Sequence, residues 1–467
     1  MIDTTRTLAL RTLTVAFLST VSGACTTLGP DYARPPVDAP LAYKEAKGWK
    51  TAQPRDDVPR GRWWEIFGDA ELNALQARVD VNNPSISAAE ARLRQARALT
   101  EAARSGQSPA VAAGGTNLDV GVSASWEIDL WGRIRRQVES SDATAQASAG
   151  DLEAAKLSIQ AQLAQNYFLL RVQDAEIRLL EASEATYGKS LRLARNQYAA
   201  GVAARGDVAQ AETQLMSTRT QALEAKLARA KYEHAIAVLT SKSPAEFSVA
   251  VAPVIANVPT VPPALPSELL ERRPDIAAAE RRMAAANAQI GVAEAAFYPT
   301  VSLFAGGGFG ISFGGGLKFA MPLYDAGLRR AESAKVVAAY DETVANYRQA
   351  ILNGFREVED NLVTLRILED EAEVQANALN AARESAAIAT NQYRAGVANY
   401  LAVVAAQSTA LNSERLALSI LGRRLVASVG LISALGGGWE ADALKQSMES
   451  SAALVAQASP ENRAGRP

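Results

Sequence analysis

The second half of the chain repeats the first at an offset of about 190 residues. Asn83-Pro84-Ser85-Ile86-Ser87-Ala88-Ala89-Glu90-Ala91-Arg92 returns as Arg273-Pro274-Asp275-Ile276-Ala277-Ala278-Ala279-Glu280-Arg281-Arg282, and the match runs without a gap to Pro109 and Pro299. Further on, Asn196-Gln197-Tyr198 with Gly201-Val202 returns as Asn391-Gln392-Tyr393 with Gly396-Val397, five residues further out of step. A tandem repeat of this length marks duplication of one structural unit. Two copies of a hairpin unit suit a ring or tube better than an enzyme cleft.

The rest of the sequence narrows what that unit is. No proline occurs between Pro109 and Pro244, or between Pro322 and Pro460, and both intervals are rich in good helix formers. Leu152, Ile159, Leu163, Leu170 and Ile177 step by seven or four residues, the stripe of a packed helix. A helix from about 133 to 198 would be about 100 Å long at 1.5 Å per residue. Gly201 and Gly206 are expected to break it, and a returning helix should run to about Leu239. Gly396 marks the equivalent bend in the second copy. Each half is thus read as a long antiparallel helical hairpin, at about 133–240 and about 326–433.

Between the helical runs lie extended stretches at about 109–130 and 299–323. Val120, Val122, Ala124, Trp126 and Ile128 alternate with Gly121, Ser123, Ser125, Glu127 and Asp129. Phe309, Ile311, Phe313, Leu317, Phe319 and Met321 alternate with Gly310, Ser312, Gly314, Gly316 and Lys318. That period of two gives one apolar face and one small or polar face, as lipid-facing and lumen-facing sides of a barrel strand require. The ascending strands, Ala110–Ala113 and Thr300–Ala305, precede glycine runs and look short against the 9–11 tilted residues that span a bilayer, unless the glycines join them. We read a squat barrel with trimmed loops; the other reading is a barrel that fails to span.

Net charge is −2, which gives no argument for nucleic acid. One His and one Cys leave no basis for a His/Cys metal site or a disulfide framework, and no cofactor is expected. The Cys is well placed. Arg6 and Arg11 flank an apolar run, Leu13 to Val21, followed by Ser22-Gly23-Ala24-Cys25, the layout of a secretory signal over residues 1–24. Cys25 after small residues resembles a bacterial lipobox, with Ser22 where an aliphatic residue is usual; plain cleavage leaving an unmodified Cys is the alternative. No later run is long and apolar enough to read as a transmembrane helix, so any span must be built from strands. An extended segment (25–61), a first repeat (62–243), a Pro-rich linker (244–266), a second repeat (267–435) and a Ser/Ala-rich tail (436–467) complete the layout.

Several of these motifs, in order, resemble the TolC-like outer-membrane efflux channels, in particular the NodT-type lipoprotein branch that serves resistance-nodulation-division pumps. The carriers are Gly29-Pro30-Asp31-Tyr32-Ala33-Arg34-Pro35, Trp63-Trp64-Glu65-Ile66-Phe67-Gly68-Asp69, Trp126-Glu127-Ile128-Asp129-Leu130-Trp131-Gly132-Arg133, Leu269-Leu270 with Arg273-Pro274-Asp275-Ile276, Phe297-Tyr298-Pro299, and the two Tyr-x-x-Gly-Val turns. The resemblance implies a mainly α protein with a small β part. Its duplicated hairpins would form a trimeric α-barrel across the periplasm, and two short β-hairpins per protomer would contribute to a twelve-stranded β-barrel. It implies a lipid-anchored homotrimer in the outer membrane that passes drugs or other small solutes, with a periplasmic adaptor and an inner-membrane transporter as partners. It places the periplasmic entrance at the bends, with Tyr198, Gly201, Asp207, Tyr393, Gly396, Leu401 and Ala405. Leu401 matches an apolar constriction residue and Asp207 an acidic one, although Asp207 could simply cap the returning helix. The acidic pair that many members carry in the second copy is here Ala402 and Ala405, so a less cation-selective, more apolar entrance is expected. A non-conducting, adaptor-binding paralogue is the alternative. A periplasmic adaptor would need a single hairpin, and Glu127 with Asp129 is a weak case for catalysis.

Overall fold

The computed structural model describes residues 27–36, 40, 42–46, 62–116, 119–254, 258–259, 273–308 and 314–437. The signal segment, Cys25, much of the Pro-rich linker, the Leu269-Leu270 pair, the Phe309–Phe313 alternation and the tail beyond Gly437 lie outside them. Seven α-helices are described: α1 (Ala70–Asn82), α2 (Pro84–Ser105), α3 (Arg133–Ala199), α4 (Arg205–Leu239), α5 (Pro274–Ala295), α6 (Leu328–Arg394) and α7 (Tyr400–Ala434). Strands β1 (Ala110–Thr116) and β2 (Asp119–Ile128) separate α2 from α3, and β3 (Thr300–Gly308) and β4 (Gly314–Ala320) separate α5 from α6.

The duplication is metrical. α2 and α5 each have 22 residues, α3 and α6 each 67, and α4 and α7 each 35. The two copies start their first long helix differently. Asn83 caps α2 by accepting from Ser85 N and Ile86 N, with Pro84 at the first helical position. Arg273, its counterpart, gives α5 no side-chain cap. Its guanidinium instead forks to Asp275 (2.7 Å) and Glu357 (2.6 Å) and donates to the Ala434 carbonyl, tying α5 to α6 and to the end of α7.

The four long helices lie side by side in the order α4, α3, α7, α6, with α5 across α3 and α6 and α2 against α3. The core is correspondingly divided. One cluster sits mid-body, where Trp63, Trp64 and Phe67 of a short 3₁₀ turn pack with Leu72, Tyr167, Phe168, Leu362, Leu425 and Val429. A second joins the far ends, with Leu180, Tyr187, Val208, Leu215, Tyr393, Tyr400 and Val404. α7 is long and apolar enough to cross a membrane by composition, which the reading of the bare sequence overlooked. Its apolar residues Val403, Val404, Leu411, Leu425, Val429 and Leu431 are buried in these two clusters or between them and their neighbours.

The strands form one antiparallel sheet in the order β1-β2-β3-β4. The register pairs Trp126 with Leu303 and Leu303 with Leu317, so these share one face, while Glu127, Ser302 and Lys318 share the other. The ascending strands do not stop at Ala113 and Ala305. Gly114 pairs with Gly121 and Gly306 with both Ser123 and Gly314, so the glycines join the ladder. A glycine keeps its backbone donor and acceptor, and the sheet uses those, not a side chain.

Residues 27–36 run along the outside of this body. Leu28 N donates to the Trp131 carbonyl at the foot of the sheet, and Gly29 crosses Gly291 of α5 so closely that a Cβ on Gly29 would stand 2.5 Å from the Gly291 Cα. Buried Arg136 donates to the Leu28 and Gly29 carbonyls and to Asp31, Asn287 donates to the Pro30 carbonyl, and Arg34 donates to the Tyr347 hydroxyl.

Candidate functional site at the two ends of the body

The bends at the far end share one geometry. Val202 N donates to the Gln197 carbonyl (2.8 Å) and Gly201 N to the Tyr198 carbonyl (3.0 Å); Val397 N to Gln392 (2.9 Å) and Gly396 N to Tyr393 (3.0 Å) repeat it. These paired bonds form a Schellman motif, which needs a left-handed residue just past the helix. Gly201 (φ +74°) and Gly396 (φ +75°) supply it, and no atom beyond the flanking residues lies within 4 Å of where their Cβ would be, so the requirement is conformational and not steric crowding. Gly206 does not break the chain: it lies in the first turn of α4.

The bends diverge in their side chains. Tyr198 is 46% exposed, whereas Tyr393 is 8% exposed, stacks edge-on with buried Tyr400 (5.2 Å between ring centres) and donates to Gln197 Oε1. Asp207 is not the cap of α4. The cap position is Ala204, with no side-chain bond, and Asp207 sits in the first turn, where the helix dipole favours a carboxylate. In the second copy Asn399 does cap α7, accepting from Ala402 N (3.1 Å), and the position equivalent to Asp207 is Ala402. One copy thus has the charge without the cap, and the other the cap without the charge. Burial, then the nearby Asp207 charge, push the Tyr393 phenol above its ordinary range. Burial above all, with Tyr393 and Asp207 adding, pushes the Tyr400 phenol up to about 12. Both hydroxyls are therefore neutral through the physiological range. Leu401 (61% exposed) and Ala405 are exposed one turn apart on α7.

Sequence reasoning missed Gln197, Asn399 and Tyr400. The repeated Asn-Gln-Tyr triplet was the available signal for Gln197, and an Asn just before a helical run was the signal for Asn399.

At the sheet end the aromatic residues gather. Trp131 donates from Nε1 to the Pro299 carbonyl (2.7 Å) and packs on Tyr298 (4.8 Å between ring centres), Trp126 donates to the Gln107 carbonyl (3.0 Å), and Arg329 lies over the Phe297 ring. Such a girdle flanks the apolar band of barrels that cross a bilayer. The carboxylates Glu127 and Asp129 are both taken. Glu127 holds Arg133 in a fork (2.8 Å), and Asp129 accepts from Ile134 N and Arg135 N, capping α3. Neither is placed for acid–base chemistry. Among the described residues no group of three or more His, Cys, Asp or Glu could hold a metal ion.

The outer membrane efflux protein family matches residues 75–241 and 265–437. The chain belongs to this family. It is 31% identical to the pyoverdine export outer membrane protein OpmQ of Pseudomonas aeruginosa, over 91% of this chain and 97% of that one. It is 28% identical to the toluene efflux pump outer membrane protein TtgC of Pseudomonas putida, over 91% and 95%. Its fold superposes on the outer-membrane channel OprN with a TM-score of 0.81 at 29% identity, covering 89% of this chain and all of that one. The chain is accordingly an outer-membrane efflux channel protein, and the reading as a non-conducting paralogue is not the one these relatives favour. Their roles are in efflux, so no catalytic activity is expected of it.

Proposed function

We propose that three copies close around one axis into a continuous duct through which drugs or other small solutes leave passively. The observation that carries this is that the protomer is unfinished in the same way at both ends. The described sheet has two edges, β1 and β4, and open edges are not tolerated in lipid. The helical layer also has two edges, α4 and α6. Each presents an apolar row to solvent: Met216, Leu223, Leu227 and Val238 on α4, and Leu352, Ile367, Val374 and Ile388 on α6. A head-to-tail contact of α4 on α6 and of β1 on β4 buries all four edges at once, and repeated rotation closes the ring.

In that assembly the bends form the periplasmic entrance, where a periplasmic adaptor and an inner-membrane resistance-nodulation-division transporter would engage it. Leu401 supplies an apolar ring, Ala405 stands in place of a carboxylate, and Asp207 is the remaining acidic group at the bend. Cation selectivity should therefore be weak, and Asp207→Ala should change it little. Thr27 stands two residues beyond Cys25 at the foot of the sheet, so a lipid on Cys25 would enter the same leaflet that the aromatic girdle borders. One chain would anchor it weakly and several would anchor it stably.

The test is to isolate the protein from outer-membrane fractions, compare heated and unheated gels, and record single channels in planar bilayers. Heat-resistant trimers with discrete conductance are expected, as is loss of the trimer in Leu227→Asp and Val374→Asp variants. A monomer without conductance would refute the duct. Palmitate labelling that disappears in Cys25→Ser would support the anchor.

A further inference from the structure

The sheet register sorts every described strand residue onto one of two faces. One face carries Val111, Val122, Trp126, Ile128, Val301, Leu303, Leu317 and Phe319. This is the bulky apolar side that hydrocarbon requires. The opposite face rises in rows. The lowest holds Thr300 and Ala320; the next Glu127, Ser302 and Lys318; the next Ala110, Ser125, Phe304 and Gly316; the next Ala112, Ser123, Gly306 and Gly314; the next Gly114, Gly121 and Gly308, with the pair Thr116 and Asp119 beyond them. Between the charged row and the row of Gly114, Gly121 and Gly308, every described residue on this face is Gly, Ala or Ser except Phe304. Its ring lies across the neighbouring strand, 3.4 Å from where a Cβ on Gly316 would stand, and it is 48% exposed. The ring covers a glycine that would otherwise weaken the sheet.

We propose that Phe304 faces the lumen and that its three copies form an aromatic collar about half-way along the barrel, a contact site for aromatic solutes on their way out. This rests on the trimeric duct proposed above. A twelve-stranded barrel with strands about 4.8 Å apart and tilted about 40° has a radius of roughly 12 Å, so side chains reaching inward by roughly 6 Å narrow the bore without closing it. The collar is therefore not a gate. Among the described residues of this face Phe304 is the one large apolar side chain, the others being small or polar, and stacking on it favours aromatic over purely polar solutes of the same size.

Two measurements test it in planar bilayers. In the first, neutral p-nitrophenyl glucoside and glucose are added on the barrel side and transient occlusions of the ion current are counted. The aromatic glucoside should occlude the unaltered channel more tightly than glucose. Phe304→Ala and the size-conserving Phe304→Leu should each weaken that preference about three- to tenfold, with heat-resistant trimers retained. In the second, a Phe304→Cys variant is exposed to a water-soluble, positively charged methanethiosulfonate, with the unaltered chain as background for Cys25. Three downward steps of conductance are expected, one per copy. Conducting channels in which the reagent has no effect, or in which the aromatic preference survives both substitutions, would overturn the collar and leave the duct standing. Absence of channels in the unaltered protein would overturn both.

Discussion

Asp174 should be the most costly single side chain to remove from the body of the protein. It is fully buried and accepts from Arg229 Nε (2.6 Å), from Arg171 (3.0 Å) and from Ala252 N (3.4 Å). Arg171 is itself only 1% exposed, lies over the Tyr167 ring, and donates to the Ala250 carbonyl (2.6 Å) and to Glu71. Arg229 donates to the Val249 carbonyl (2.7 Å), and Val249 N donates to Glu233 (2.7 Å). The network thus pins residues 249–252, the stretch that leaves the first repeat for the second. Removing one partner of a buried ion pair costs about 3–5 kcal/mol, because the remaining charge stays buried. Asp174→Ala leaves both guanidinium groups some other partners, which puts the cost near the lower figure, about 3 kcal/mol. If that cost falls on local release of 249–252, the open fraction rises about a hundredfold, and so does cleavage there by a protease that acts on the open form. Limited thermolysin digestion of the detergent-solubilised protein, with cut sites mapped by mass spectrometry, reads this directly. Asp174→Asn, which keeps the shape and one acceptor, should rise much less. A cleavage rate within about threefold of the unaltered protein would refute the idea that this network holds the crossover, since that corresponds to less than about 1 kcal/mol.

Gly201→Ala and Gly396→Ala each force an L-residue into the left-handed region at φ +74° and +75°, which costs about 1–2 kcal/mol apiece. Thermal dissociation of the assembly should fall for both, and fall less for the corresponding Asn substitutions. At the entrance the pH dependence should be alkaline. Folding raises the Tyr400 pKa to about 12 from an ordinary value near 10, so the folded state holds its proton more tightly. That contribution is complete below about pH 10 and is lost as pH rises toward 12. Dissociation temperatures followed from pH 8 to 12 should decline in that window, and Tyr400→Phe should flatten the decline.

Much of the fold was legible because its signals are long. The proline-free intervals coincide with helix pairs whose combined length gives many turns of periodicity, and the duplication supplies each signal twice. The twofold alternation gave the faces of the sheet. What escaped was local and depended on one backbone bond or one neighbour. Gly206 looked like a breaker, but a helix accepts one Gly at modest cost when the turn is made elsewhere. A cap was the alternative reading of Asp207, but cap and first-turn positions are three residues apart and both favour Asp. The glycine runs looked like strand ends because strand propensity is carried by side chains, whereas a ladder needs only the main chain. The Arg171–Asp174–Arg229 cluster joins α1, α3, α4 and the crossover through contacts separated by up to 100 positions, and no sequence pattern announces such a meeting.

The duplication makes one more prediction, because the contact between the two copies inside a protomer has an unused counterpart. Within the chain, Gln197 of the first bend accepts from the Tyr393 hydroxyl of the second. If the ring alternates first and second copies, the second copy of one protomer meets the first copy of the next in the same way. Gln392 should then accept from Tyr198 of the neighbour. Both are exposed in the single protomer, as that reading requires. The internal bond is shielded, whereas the contact between protomers must separate if the entrance widens. Tyr393→Phe should therefore lower thermal stability by the value of one hydrogen bond, about 1 kcal/mol, with little change in conductance. Tyr198→Phe should do the reverse, leaving stability almost unchanged and raising the resting conductance or the open probability. Equal effects of the two substitutions on stability, with conductance untouched by either, would mean that the second bend closes on its neighbour by other contacts and that the alternation of copies does not extend to the entrance.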